Sequence, residues 1–160
     1  RRNTNAMCVL YINSRKRIIL KEVKLMSKII EEKKGLELEP YTFTVEKAKI
    51  RELALAIGDV KEEYLNGEAT LPTFPTVIDF WGGGASTSEL LGLNVKKVLH
   101  GEQEYEYFGE IKAGDEITVT GIVENVYVKA AMNFFVLKKE FVNQNGETVL
   151  ISRSTVIERH

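Results

Sequence analysis

The 160-residue sequence contains one cysteine and two histidines. It also has no apolar run of the roughly 18 residues that a membrane-spanning helix needs. Cys8 alone cannot form an internal disulfide, so we expect a reducing, cytoplasmic location. So few cysteines and histidines provide no cluster of metal ligands, and we predict neither a metal nor a cofactor. Hydrophobic residues make up 44% and charged residues 28% of the chain, a globular balance that excludes a disordered or fibrous protein.

The net charge is only −1, but it is unevenly distributed. Residues 1–25 hold seven basic side chains against one acidic side chain, Glu22, so the remainder of the chain is acidic. An acidic body is not typical of a nucleic-acid-binding domain. We therefore predict no nucleic-acid partner and, without a long apolar run, no membrane partner.

Residues 1–25 differ from the rest, and three interpretations stay open. Residues 21–23 can be encoded by a bacterial ribosome-binding sequence just before the codon of Met26, which favours a vector-derived or upstream-read remnant. The strand-like content of residues 9–12 and 18–20 favours a native extension instead. The excess of basic residues also suits a targeting segment. We predict that residues 26–160 form a single domain.

The first part of this body predicts one strand and one amphipathic helix. Residues 36–44 have strand-like content, and apolar residues then recur at three- and four-residue spacing up to Gly58. Thr44 is the expected N-cap of the helix, and Gly58 is expected to end it. A polar loop over residues 59–70 follows.

A second helix, introduced by Pro72 and Pro75, is apolar on nearly all sides and is therefore expected to be buried. Four strands are predicted after it, over residues 97–108, 116–128, 133–142 and 148–158. The pair Asn145-Gly146 predicts a tight hairpin between the last two strands, because both turn positions favour positive φ.

This order of elements predicts an α+β, hot-dog architecture, in which a curved antiparallel sheet wraps around one buried apolar helix. A helix without a polar face needs cover on all sides, and a curved sheet supplies it. The alternative is a generic α+β sheet with its helices packed on one face.

Four segments carry recognisable motifs: residues 56–69, 71–75, 99–105 and 111–115. They resemble the MaoC-like hot-dog family, and within it the N-terminal-type MaoC dehydratase domain, also called the fatty-acid-synthase-type dehydratase domain. This domain forms the non-catalytic subunit of mycobacterial heterodimeric hydroxyacyl dehydratases. The resemblance covers about residues 41–159. It implies R-specific hydration of enoyl thioesters, or the reverse dehydration.

The resemblance also implies which residues transfer protons, and here the sequence departs from the family motif. In the family an aspartate and a histidine five residues later do this work. Asp59 matches the aspartate, but Tyr64 occupies the histidine position and is a poor base at neutral pH. Asp59 can equally serve the local structure at the helix end. We therefore expect a chain that is weakly active or inactive alone, with catalytic residues from a partner subunit.

The family binds the thioester oxygen with a backbone N–H at the start of the buried helix. Thr73, Phe74 and Thr76 are the local donors here, because Pro72 and Pro75 have no N–H. The acyl tunnel is expected to be lined by large apolar residues of this helix and the later strands, with core packing as the alternative for each: Phe74, Trp81, Met132, Phe134 and Phe135.

Two polar residues of the body remain to be placed. His100 follows the buried helix on the first predicted strand, where it is either a structural group or a contact to substrate or a partner subunit. Asp79 lies within the apolar helix and needs a partner or access to solvent, because an unpaired buried carboxylate is costly.

Three functions remain open from the sequence. The first is a hot-dog subunit that shapes the acyl tunnel of a hydratase or dehydratase, paired with a catalytic MaoC-like subunit. The second is a non-catalytic homodimer that binds acyl-CoA or another acyl thioester. The third is a hot-dog thioesterase that uses Asp59. The expected ligand in each is an acyl thioester of CoA or of acyl carrier protein.

Overall fold

The computed structural model of the protein describes residues 30–83 and 86–159. From Glu37 onward the helices are α1 (Lys47–Ile57), α2 (Glu62–Asn66), α3 (Pro75–Gly82) and α4 (Thr87–Leu90). The strands are β1 (Glu37–Thr44), β2 (Val98–Tyr107), β3 (Glu116–Lys129), β4 (Met132–Val142) and β5 (Thr148–Arg159). The interpretations of residues 1–25 concern a segment outside the described residues and stay predictions.

One antiparallel sheet contains all five strands in the order β1-β3-β4-β5-β2. The long strands β3, β4 and β5 lie in its middle and are joined by hairpins. The pairing register shifts after Leu38, His100 and Val123, and such bulges bend a strand and increase its twist. The predicted α+β class is confirmed, and the strands lie within a few residues of the predicted ranges.

Among the described residues, two clusters of buried side chains form the core. The first joins α3 to α1 and the sheet, with Phe74, Ile78 and Ile50 completely buried. The second lies under α4 and contains Leu91 and Phe135, which are also completely buried. The helix α3 therefore packs on the inner face of the sheet through only one of its faces.

The prediction that α3 is buried on nearly all sides is wrong for the isolated chain. Phe80 is 75% exposed and Trp81 is 61% exposed, whereas Phe74 and Ile78 have no exposure. A single sheet covers only one side of a helix, and Phe80 lies about 200° around the helix from the buried Ile78. Trp81 is exposed in the last turn, where the helix ends at Gly82. Their exposure leaves an apolar surface at the end of α3.

Two local predictions for α1 and the loop after it are wrong. The N-cap of α1 is Glu46, without a side-chain cap, and not Thr44. The expected polar loop at residues 59–70 contains the short helix α2. Gly58 ends α1 in a left-handed conformation, as predicted.

The tight hairpin turn also lies elsewhere. Among the described residues outside glycine, only Ala130 and Ala131 have positive φ, at 50° and 56°, and they connect β3 to β4. In the turn between β4 and β5 only Gly146 has positive φ. There the side chain of Asn143 accepts hydrogen bonds from the backbone N–H groups of Asn145 and Glu147, so the turn is longer than the predicted two residues.

Candidate functional site: a cavity between α3 and the sheet

A cavity of about 590 Å³ lies between α3, the segment after it and the inner face of the sheet. Residues from both core clusters line it, among them Val119 from the first and Leu137 from the second. The cavity therefore occupies the space where the two clusters do not meet. Its walls also carry polar side chains, notably Tyr41, Asp79 and Lys139.

Tyr41, Asp79 and Lys139 form a polar cluster on one wall. The Oδ1 atom of Asp79 accepts a hydrogen bond from the Tyr41 hydroxyl at 2.7 Å and another from Lys139 Nζ at 2.9 Å. The side chains of Lys139 and Asp79 are only 13% and 24% exposed. Two opposite charges at this depth must be paired, because an isolated charge there would be strongly unfavourable.

The side-chain alternation of β4 places Lys139 on the inner face of the sheet. Phe135, Leu137 and Phe141 are buried on that face, and Lys139 is in phase with them. Its partner on β3 is Gly121, where an added β-carbon would lie 3.1 Å from Lys139 Cγ. A larger residue at position 121 would therefore crowd the lysine stem.

A second group of polar contacts connects α3 and the segment before it to β2. The hydroxyls of Thr76 and Tyr105 lie 2.9 Å apart, and the Tyr107 hydroxyl donates to the Pro72 carbonyl at 2.9 Å. Burial raises the pKa of Tyr105 and raises that of Tyr107 to about 12. Burial first, and then the Asp79 carboxylate, also raise the pKa of Tyr41. These phenols therefore keep their protons at neutral pH.

The positions that match the family acid–base motif lie away from this cavity. The Asp59 side chain is 39% exposed, and its Oδ2 atom is 3.8 Å from Lys61 Nζ. The carboxylate of Asp59 is the largest cause of a raised pKa at Lys61. Tyr64 is 7% exposed and belongs to the first core cluster. Neither Asp59 nor Tyr64 is among the residues that line the cavity, so their catalytic roles stay predictions.

The expected backbone donors at the start of α3 are largely engaged within the chain. The Phe74 N–H donates to the Leu71 carbonyl at 2.9 Å, and the Thr76 N–H donates to the Thr73 carbonyl at 3.1 Å. Of the three predicted donors, only the Thr73 N–H has no hydrogen bond within the described part of the chain. The arrangement therefore offers no pair of free N–H groups for a thioester oxygen.

The predicted substrate-binding residues divide into two groups. Thr76 and His100 line the cavity. The others do not: Phe74 and Phe135 are completely buried in the core, and Phe134 stacks on Tyr127 with 4.8 Å between ring centroids. Trp81 lies at the surface with Lys49 Nζ 4.8 Å from its ring, and Thr73 and Met132 also lie outside the cavity wall.

Sequence reasoning missed Tyr41 and Lys139, and for Asp79 it expected a partner or access to solvent without identifying the partner. The signal for Lys139 was present, since a lysine in phase with the apolar residues of a strand must face the core. No local sequence pattern predicts that Tyr41 and Asp79 contact Lys139, because the three residues come from distant parts of the chain.

Two absences apply to residues 30–83 and 86–159. No group of three or more histidine, cysteine, aspartate or glutamate residues there is arranged to hold a metal ion. None of the helices in these residues is long and apolar enough to cross a membrane.

The antiparallel sheet with one helix on its inner face places the protein in the hot-dog class of α+β folds. Residues 32–152 match the family described as FAS1-like, dehydratase domain region, and the chain belongs to that family. It is 30% identical over 128 residues to a UPF0336 protein of Streptomyces coelicolor, and the match covers 73% of this chain and 85% of the relative. A UPF0336 protein of Streptomyces avermitilis is 31% identical over 132 residues, covering 76% and 87%.

Solved structures of dehydratases share the fold. The HadBC (3R-hydroxyacyl-ACP dehydratase) complex of Mycobacterium tuberculosis matches with a TM-score of 0.63 at 18% identity, covering 78% of this chain and 96% of that chain. The ChsH1-ChsH2 complex of the same organism matches with a TM-score of 0.62 at 15% identity, covering 88% and 92%. These identities establish the fold alone. They confirm the predicted hot-dog architecture, and the family match identifies a dehydratase-domain protein of the FAS1-like family.

Proposed function

We propose that the protein is the acyl-binding subunit of an R-specific enoyl-thioester hydratase or 3-hydroxyacyl-thioester dehydratase, with catalytic residues supplied by a partner subunit. The observation that carries this proposal is the separation between the cavity and the family acid–base positions. The cavity can receive a substrate chain, while Asp59 and Tyr64 lie outside its wall.

The size and place of the cavity support the acyl-binding part. A volume of about 590 Å³ falls within the roughly 300–1,000 Å³ of typical small-molecule sites. The cavity lies between a helix and a sheet, with apolar side chains such as Leu38, Val98 and Val156 on its wall. An acyl chain in this space would be removed from water.

The chemistry of the motif positions supports a separate catalytic subunit. Hydration of an enoyl thioester needs a group that activates water and a group that handles the proton at the α-carbon. Asp59 is partly exposed beside Lys61 and has no histidine five residues later. Tyr64 is a buried phenol in the core, so it is suited neither to accept a proton nor to reach a substrate.

Two exposed features support a partner. The outer edge of β2 pairs with no other described strand, so its backbone N–H and C=O groups are available to a second sheet. The aromatic side chains of Phe80 and Trp81 are exposed at the end of α3, and exposed apolar surface marks interaction sites. A partner that extends the sheet along β2 and covers these rings would pair the free edge and bury the exposed aromatic surface.

The charge on β2 favours a different subunit over a second copy. Glu102, Glu104 and Glu106 alternate with Gln103 and Tyr105, which face the cavity, so the three glutamates share the outer face. Opposed residues of an antiparallel pair share a face. Antiparallel pairing of β2 with its own copy would therefore bring like charges together, whereas a strand with lysine or arginine on that face would complement them.

An enoyl-CoA hydration assay tests the proposal. The purified chain is assayed alone and after co-purification with the product of an adjacent gene that carries Gly-Asp-x-Asn-Pro-x-His. We expect the chain alone to be at least about 100-fold slower than the complex, since general acid–base catalysis contributes roughly 10²–10⁴-fold. Fast turnover by the chain alone that Asp59→Asn abolishes would contradict the proposal.

A further inference from the structure

The polar cluster keeps hydrogen-bonding capacity that faces the cavity. Both hydrogen bonds to Asp79 end on Oδ1, and within the described residues Oδ2 accepts none. The Lys139 ammonium has three N–H donors, and its hydrogen bond within this part of the chain goes to Asp79. No fully buried side-chain nitrogen or oxygen of the described residues lacks a partner. The partnerless Oδ2 atom therefore reaches open space, and both Asp79 and Lys139 line the cavity.

A saturated alkyl chain is expected to bind weakly against this polar wall of the cavity. If it reached Asp79 and Lys139, it would displace water from the spare oxygen and donors and offer no hydrogen bond in return. Each polar group left unsatisfied in this way lowers affinity by about tenfold or more. The effect applies to chains that reach the cluster, while a shorter chain leaves it hydrated.

The chemistry of the pair discriminates between polar groups on a chain. A ketone only accepts, so it would leave Asp79 Oδ2 unsatisfied. A carboxylate would meet the negative charge of Asp79, and an ammonium group would meet the positive charge of Lys139. A hydroxyl donates to Oδ2 and accepts from Lys139 Nζ, so it satisfies both.

The depth of the cluster places this hydroxyl away from the thioester. Lys139 lies on the central strand β4, on the inner face of the sheet, and its side chain is 13% exposed. A carrier protein or the nucleotide part of CoA must remain outside a space of about 590 Å³. The ligand therefore enters with its carrier at the surface, so the part of the acyl chain that reaches Lys139 lies deeper than the thioester.

From these contacts we infer that the cavity selects acyl groups that carry a hydroxyl on the chain, remote from the thioester, and that Asp79 and Lys139 bind that hydroxyl. The inference rests on the proposed function, because it names the substrate class of the same acyl site. Tyr41 acts as a positioning residue, since its hydroxyl fixes Oδ1 of Asp79 and leaves Oδ2 towards the ligand.

Calorimetric binding to the full chain tests this inference. The probes are positional isomers of hydroxydecanoyl-CoA, with decanoyl-CoA and undecanoyl-CoA as alkyl controls of matched size. We expect at least one isomer with its hydroxyl remote from the thioester to bind about tenfold or more tightly than either alkyl control. If no such isomer binds more tightly than undecanoyl-CoA, or if only the 2- or 3-hydroxy isomer does, the inference is wrong while the proposed function stands. If none of the thioesters binds, both are wrong.

A cluster variant gives the second arm of the test. Tyr41→Phe, Asp79→Leu and Lys139→Met are combined, because removing one partner alone would leave a buried charge unpaired. We expect this variant to lose the hydroxyl preference and to bind undecanoyl-CoA more tightly than the wild type does. Lys138→Met is the matched control, since Lys138 neighbours Lys139 on the opposite face of β4, and it should keep the preference. An unchanged preference in the folded cluster variant would overturn the assignment, and if that variant does not fold, the wild-type probes decide.

Discussion

The ring of Tyr41 lies directly against Gly82 at the end of α3. A β-carbon added at Gly82 would be 2.6 Å from Tyr41 Cε2 and 2.7 Å from Tyr41 Cδ2. The helix end therefore approaches β1 closely enough for the Tyr41 hydroxyl to reach Asp79, one turn earlier on the same helix. A small residue at position 82 thus determines the geometry of the polar cluster.

We predict that Gly82→Ala destabilises the protein by roughly 1–3 kcal/mol, because overpacking forces the ring of Tyr41 out of its position. Gly83→Ala is the matched control, since its nearest neighbour in the structure would be Tyr41 Cε1 at 3.5 Å, an ordinary contact. Urea denaturation measures both variants. Equal midpoints for the two variants would show that Tyr41 is not held by this contact.

Phe74 and Trp81 are expected to differ sharply in their contribution to stability. Phe74 is completely buried, so Phe74→Ala should cost about 3–5 kcal/mol of unfolding free energy. Trp81 is 61% exposed and contacts Lys49, so Trp81→Ala should cost less than about 1 kcal/mol. Thermal and urea unfolding of the isolated chain check the contrast. A large loss for Trp81→Ala would mean that the ring is buried in solution, for example by a second copy.

The stability of the protein should decline at high pH as Tyr107 ionises. Partial burial first, and the neighbouring Tyr105 second, raise the pKa of Tyr107 from 10.0 to about 12, although 42% of the residue is exposed. Because the folded state holds the proton more tightly, the contribution of Tyr107 is complete below pH 10 and is lost as the pH rises through about 12. An absorbance titration of phenolate follows this ionisation, and Tyr107→Phe should remove a component near pH 12. Loss of a component near pH 10 instead would contradict the assigned burial.

The sequence predicted the sheet and the turn at Gly58 because these depend on local patterns. Strand alternation over β3, β4 and β5 is strong, and a glycine ends α1 in a left-handed conformation. The burial of α3 was predicted wrongly, since composition shows that a helix needs cover but not whether its own chain supplies it. The isolated chain does not bury Phe80 and Trp81.

The candidate site was predicted less well, because it depends on contacts between distant segments. Thr76 was named as a backbone donor at the start of α3 and His100 lies in a motif segment, and both line the cavity. The polar cluster joins residues from β1, α3 and β4, and sequence spacing contains no information about their distances. The alternation of β4 could have identified Lys139 as an inward-facing charge, and hence the need for a partner such as Asp79.

The three outward glutamates of β2 should oppose self-association of the chain along this edge. The free edge and the exposed rings of α3 predict that the chain is not strictly monomeric at micromolar concentration, but pairing β2 with its copy opposes Glu102, Glu104 and Glu106 to like charges. We expect conversion of all three to glutamine to tighten self-association by roughly tenfold, since opposed like charges cost about 0.2–1 kcal/mol per pair. Added salt should tighten association of the wild type but not of this variant, because salt screens the repulsion.

Sedimentation equilibrium measures the dissociation constants of the wild type and the variant. Conversion of Glu46, Glu52 and Glu62 to glutamine is the control, because it removes the same charge away from β2. If both variants associate equally, or if the wild type is monomeric at every salt concentration, β2 is not the edge through which the chain pairs.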